Sequence, residues 1–113
     1  MRITIGTKRI GVELADNWAK RFRGLMFRRK CAPLLLSMPH ASRANSTIHS
    51  FFVFFRFDAV FLDDKKRVIN VVDGVRPFRV AVVPKRPARY VLELPAGMAR
   101  GLGIRENMKL AGF

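Results

Sequence analysis

Apolar positions along this chain change period several times, and each change marks an element. Extended runs with β-branched residues cover Arg2 to Ile5 and Lys8 to Leu14, separated by Gly6-Thr7, and predict an opening hairpin. Asp16 is placed to cap a helix, because Trp18, Phe22, Leu25 and Met26 recur at the spacing of one helical face. Arg21 and Arg28 fall along one border of that face and Arg23 along the other, and the helix is expected to end near Leu25 to Phe27. Pro33 to Met38 predicts a short buried strand, and Pro39 to Ser46, small and polar, a loop. Ile48 to Asp63 is rich in aromatic and β-branched residues and predicts strand. Its block Phe51-Phe52-Val53-Phe54-Phe55 is apolar on both faces, so it is either covered twice or turned toward a partner.

Asp63-Asp64-Lys65-Lys66 predicts a polar turn, Arg67 to Val75 a strand, and Phe78 to Val83 a hairpin-like return. Pro84-Lys85-Arg86-Pro87 breaks the pattern, after which Tyr90, Leu92 and Leu94 alternate with Val91 and Glu93 in a last strong strand. Pro95 to Leu102 predicts a helix with Pro95 at its start and Gly103 at its stop, and Ile104 to Phe113 a turn and short strand. Short strands with two brief helices, and no regular alternation of strand and long helix, point to a mainly β fold. The expected form is a small antiparallel barrel or sandwich with two short helices. No repeat, linker or low-complexity tract divides the chain, so residues 1–113 are expected to form a single domain.

Half of the residues are apolar, enough for a self-supporting core and too many for intrinsic disorder. No apolar run reaches the roughly 20 residues of a membrane span, and Met1 to Ala15 lacks the apolar block of a secretory signal. The single cysteine, Cys31, excludes an intrachain disulfide and suits a reducing cytoplasm. The chain has no glutamine and 15 Arg against 7 Lys, a thermophile-like composition. Charge changes the picture most, since 22 Lys and Arg against 8 Asp and Glu give a formal +14. Residues 1–30 carry nine cations and two acids, and residues 64–89 eight and two. If Lys20, Arg21, Arg28, Arg29 and Lys30 share a face with Lys65, Lys66, Arg67, Lys85, Arg86 and Arg89, their field attracts polyanions such as RNA or acidic proteins. The bland reading of the same charge is a solvated surface.

Three ordered blocks carry a resemblance: Arg23-Gly24-Leu25-Met26-Phe27-Arg28, then Phe57-Asp58-Ala59-Val60-Phe61-Leu62-Asp63, then Arg89-Tyr90-Val91-Leu92-Glu93-Leu94-Pro95-Ala96-Gly97 followed by Leu102-Gly103-Ile104. In this order and spacing the chain resembles the domain of unknown function 192 family, also known as uncharacterised protein family 0127, over roughly residues 10 to 110. The resemblance implies a small, mainly β fold with the Arg-Gly-Leu-Met segment at a helix and the Leu-Glu-Leu strand running into a second short helix. It implies no catalytic roles. Where the family pattern reads Phe-Trp-Met-Lys-Asn-Thr, this chain has the apolar Ile48-His49-Ser50-Phe51-Phe52-Val53, and Asn107-Met108 stands in place of a Gly-Asp pair.

Candidate chemistry is sparse. Asp58 lies inside an apolar strand and needs partners, either Arg23 in an ion pair or backbone N–H groups, with a catalytic acid as the rival reading. Glu93, between Leu92 and Leu94, is expected to point outward or pair with a basic neighbour. Cys31, His40 and His49 are too few for a structural zinc site, so no metal is expected. Cys31 also lacks a nucleophile signature, although cationic neighbours could lower its thiol pKa. Ser42, Ser46 and Ser50 lack the elbow motif of a nucleophilic serine, and the glycines form no phosphate-cradling pattern, so no cofactor is expected. The Phe51 to Phe55 block reads as core, or, if its rings are exposed, as the lining of an apolar pocket or dimer interface.

These observations lead to an expectation of a noncatalytic binding module with a basic surface favouring anionic partners. The enzyme alternative places a site around Arg23, His49 and Asp58. A further alternative is an accessory protein that associates through exposed Phe residues.

Overall fold

The computed structural model describes all of residues 1–113 and opens with the expected hairpin. Strands β1 (Arg2–Ile5) and β2 (Lys8–Gly11) pair antiparallel around Gly6-Thr7, with Ile3 opposite Ile10. The run does not continue to Leu14. It breaks after Gly11, and β3 (Glu13–Ala15) leaves the hairpin to join a second sheet, running parallel to β4 (Leu34–Ser42).

That second sheet has five strands in the order β3, β4, β7 (Ala88–Pro95), β5 (Phe57–Leu62) and β6 (Val68–Val75). Every neighbouring pair except β3 and β4 is antiparallel. The fold is mainly β, as the pattern predicts, and one parallel step joins its amino-terminal part to the sheet. Both faces of this sheet are covered. Leu34, Leu36, Phe57, Ala59, Phe61 and Val91 pack into one core, and Leu35, Val60, Leu62, Leu92 and Leu94 into the other, together with Ile3, Ile5 and Leu110. Side chains alternate along a strand, so a sheet covered twice needs apolar residues at successive positions, which is why β5 is buried throughout.

Several elements differ from the sequence pattern. Helix α1 (Trp18–Arg23) is capped by Asn17, whose side chain accepts from the Lys20 N–H at 2.9 Å, rather than by Asp16. It buries none of its residues, because it stops after six at Gly24, whose φ of 46° turns the chain so that the following Leu25 enters the core with Met26 packed against it. The segment expected as a loop after Pro39 continues β4 to Ser42, whose hydroxyl caps the short α2 (Arg43–Ser46) by accepting from the Asn45 N–H. Of Ile48 to Asp63, only Phe57–Leu62 is strand. Upstream, Ile48 makes a single bridge to Val82, and the chain then folds around the buried Ser50. Pro95 ends β7 instead of starting a helix, and α3 (Met98–Gly101) follows a left-handed Gly97. The carboxy-terminal segment contributes isolated bridges, Lys109 with Arg67 and Ala111 with Thr4. No helix is long and apolar enough to cross a membrane.

Candidate functional site

The two inward carboxylates of the sheet face opposite ways. Asp58, fully buried, accepts from the Gly74 N–H at 2.9 Å and from the Ala99 N–H at 3.0 Å. It ties β6 and the start of α3 to β5 on the hairpin side of the sheet. The backbone satisfies this carboxylate, and Arg23 is not among its partners. Arg23 and His49 do come together, in the lining of a cavity on the other side, so the trio of Arg23, His49 and Asp58 is not assembled.

That cavity, about 460 Å³, opens between α1, β4 and the 45–49 segment, and reaches the side chain of Glu93 on β7. Leu25, Met26, Leu36, Met38 and Val53 form apolar walls, and Arg21 and Arg23 bring positive charge. Glu93 points inward, against expectation: it is 4 % exposed, and its Oε1 has no hydrogen-bond partner. Its position explains this. Val91 and Glu93 occupy the sheet face opposite Leu92 and Leu94, and that face too is covered, by the core that holds Leu34, Leu36, Phe57 and Phe61. Burial pushes the Glu93 carboxyl up to about 8, a rise that the Arg28 guanidinium moderates. Burial, reinforced by the negative charge of Glu93, likewise pushes the Cys31 thiol up to about 12. The cationic lowering considered for Cys31 is overridden, and the thiol keeps its proton at neutral pH.

Rings around and beside the cavity mouth are exposed. Within the Phe51 to Phe55 block, for which core and exposed lining were the two expectations, Phe51, Phe52 and Phe54 are exposed, Val53 is buried and Phe55 half-buried. Trp18 stacks on Phe22 with centroids 5.4 Å apart, Phe22 meets His49 at 5.9 Å, and His49 meets Phe51 at 5.5 Å. Beside them Phe27 stacks on Phe52 at 5.1 Å, and Phe78 meets both Phe52 and Phe54 at 6.1 Å. Phe27, Phe52 and Phe78 all hold positive φ, between 57° and 62°. Bulky side chains rarely accept this conformation, and here backbone bonds impose it. The Phe27 N–H donates to the Phe52 carbonyl at 2.9 Å and the Phe78 N–H to the Ser50 carbonyl at 2.8 Å. The Ser50 hydroxyl donates to the Arg76 carbonyl and accepts from the Arg79 N–H, both at 2.6 Å.

The positive charge collects on the same segments. Residues 17–57 and 74–92, which contain every exposed aromatic ring, hold thirteen Lys and Arg and no acid, with Asp16, Asp58, Asp73 and Glu93 immediately flanking them. The remainder of the chain holds nine cations against all eight acids. Among the cations singled out from sequence, Arg21 donates to the Ser37 carbonyl and Arg89 to the Met38 carbonyl, so adjacent β4 residues bring one member of each group together. Arg28 pairs with Glu13 at 2.8 Å and Lys85 with Glu106 at 3.0 Å. Lys20, Arg29, Lys30, Lys65 and Arg86 are exposed. Lys66, over the Phe113 ring, and Arg67, bonded to the Asn107 carbonyl, sit with the carboxy-terminal segment, away from α1. Sequence reasoning missed Arg56, Arg76 and Arg79, each within two positions of an exposed or half-exposed Phe. Their interleaving with Phe was the available signal.

Residues 1–112 match the DUF192 family, described as Uncharacterized ACR, COG1430. The chain belongs to the DUF192 family. A UPF0127 protein of Pyrococcus abyssi (strain GE5 / Orsay) is 40% identical over 99 residues, 88% of this chain and 83% of that protein. A UPF0127 protein of Pyrococcus furiosus is 37% identical over 111 residues, 97% of this chain and 94% of that protein. The solved structure of a protein of unknown function from Novosphingobium aromaticivorans DSM 12444 superposes with a TM-score of 0.86 at 24% identity, covering 98% of this chain and 82% of the other. Within this DUF192 chain the three motif blocks have different destinations. Arg23 to Met26 from the first and Glu93 from the third meet in the cavity, while the second supplies Asp58 and the core residues Phe57 and Phe61.

Proposed function

We propose that this DUF192 chain is a noncatalytic binding module that holds single-stranded RNA on its aromatic, arginine-rich face. The observation that carries the reading is the coincidence of all exposed rings with segments bearing thirteen cations and no internal acid. Arginines along such a face neutralise phosphates and release counterions, and each base stacked on a ring adds about 1–3 kcal/mol. A duplex hides its base faces, and an acidic protein has few flat rings to stack, so a single strand uses both features at once. Backbone bonds hold Phe27, Phe52 and Phe78 in a costly conformation with their rings outward, which favours a preorganised contact surface. A lone, unpaired cysteine fits a cytoplasmic setting.

The test is fluorescence anisotropy of labelled single-stranded RNA, single-stranded DNA and duplex RNA across a salt series. Single strands should bind more tightly than the duplex, and log K should fall linearly with log salt. Absence of binding at low salt overturns the proposal. Light scattering on the free protein tests the rival use of these rings, since a dimer that dissociates when Phe52 or Phe78 is replaced would assign the patch to a second copy.

A further inference from the structure

We infer that the cavity over Glu93 is a nucleotide subsite, in which one base enters edge-first toward the Glu93 carboxyl while its phosphate stays at the mouth with Arg21 and Arg23. The inference deepens the proposed binding of a single strand and rests in part on it, but its own observations are separate.

A volume of about 460 Å³ lies within the roughly 300–1,000 Å³ of small-molecule sites. Leu25, Met26, Leu36, Met38 and Val53 supply apolar wall, Asn45, Thr47 and His49 supply polar groups beside it, and the mouth is flanked by the stacked Trp18 and Phe22. Glu93 lines the end of the cavity with 4 % of its surface exposed, and its Oε1 has no hydrogen-bond partner. A buried polar atom without a partner costs free energy, and a ligand that supplies the missing hydrogen bond recovers it. The charge order selects the ligand. A carboxyl group that keeps its proton gives an anionic group no counter-charge at the cavity floor, so the anion stays with Arg21 and Arg23, and the same two arginines disfavour a cationic ligand. What fits is a flat body, a neutral edge with N–H donors, and an anionic tail. Nucleobases present such an edge beside a ring carbonyl or nitrogen, and a carboxyl that retains its proton offers both a donor and an acceptor to it. Gly24 keeps the floor open, since a Cβ there would stand 3.4 Å from Oε1.

Trp18 is the single tryptophan and lies at the mouth, so its fluorescence reports occupancy directly. The experiment titrates the four nucleoside monophosphates, then homopolymeric RNA strands, into the wild-type chain, Glu93→Leu and Glu93→Gln. Leu removes the polar edge from a buried position without leaving a cavity, and Gln preserves a neutral donor and acceptor. At least one monophosphate should quench Trp18, with affinity falling about tenfold or more in Glu93→Leu and recovering in Glu93→Gln. That result identifies a free nucleotide as sufficient. If only strands bind, loss of discrimination among homopolymers in Glu93→Leu still supports the subsite and assigns it to a base within the strand. If no monophosphate binds and Glu93→Leu discriminates as the wild type does, the subsite is overturned while strand binding stands. If monophosphates bind in a Glu93-dependent way and strands do not, the subsite stands and the strand proposal falls.

Discussion

Gly24, at the end of α1, and Glu93, on β7, face each other so closely that a Cβ on Gly24 would lie 3.4 Å from the carboxyl Oε1 and 3.6 Å from the Arg21 carbonyl. The glycine also holds φ 46° and ψ −122°, a combination that L side chains strongly disfavour. Gly24→Ala therefore should destabilise the fold by about 1–3 kcal/mol and narrow the floor of the cavity. Chemical denaturation checks the first effect, and the Trp18 fluorescence response to nucleotides checks the second.

The buried Glu93 makes stability depend on pH in an unusual direction. Its pKa rises from 4.5 to about 8 on folding, so between those values the folded chain retains a proton that the unfolded chain has released. Stability falls as pH rises through that window and levels off above it, by an amount on the order of a few kcal/mol. Glu93→Gln, neutral at every pH, should remove this slope. The measurement is the melting temperature of both chains from pH 5 to 9: the two curves should diverge toward alkaline pH, with the Gln chain more stable there.

The strands were legible where a face was consistently apolar, as in Phe57 to Leu62 and Tyr90 to Leu94, because both cores depend on those residues. Glu93 was misread because alternation identifies two faces but does not say that both are covered. The continuous apolar run of β5 was the clue that they are. The Phe51 to Phe55 block misled for a different reason: aromatic content favours strand, but Phe52 takes a left-handed turn set by Phe27, and the neighbouring fold is organised by Ser50, both distant in sequence. The cavity itself joins residues from α1 to β7, and no local spacing announces such a meeting.

Asp58 resembles a catalytic acid in sequence and acts as a clamp in the structure. Asp58→Ala should leave the Gly74 and Ala99 N–H groups without partners in a buried site, a loss of about 3 kcal/mol or more. Asp58→Asn retains one acceptor oxygen and should lose less. Because the clamp lies on the far side of the sheet from the rings, the folded fraction of either variant should bind RNA as the wild type does. Urea unfolding read alongside anisotropy separates the two effects, and a folded Asp58→Asn chain that no longer binds would return Asp58 to the site.

Rings and cations on the proposed face predict different signatures. Phe52 is half exposed at φ 57°, so Phe52→Asn relieves an unfavourable backbone and should keep stability within about 1 kcal/mol of wild type. The lost stacking surface should weaken single-stranded RNA roughly tenfold with the salt slope unchanged. Arg79→Ala, replacing an exposed cation beside Phe78, should instead lower the magnitude of that slope by about one and weaken all strands alike. Anisotropy titrations at several salt concentrations measure both quantities in one series. Equal slopes in Arg79→Ala and wild type would mean that the cation does not reach a phosphate, and unchanged affinity in Phe52→Asn would mean that the strained ring contacts no base.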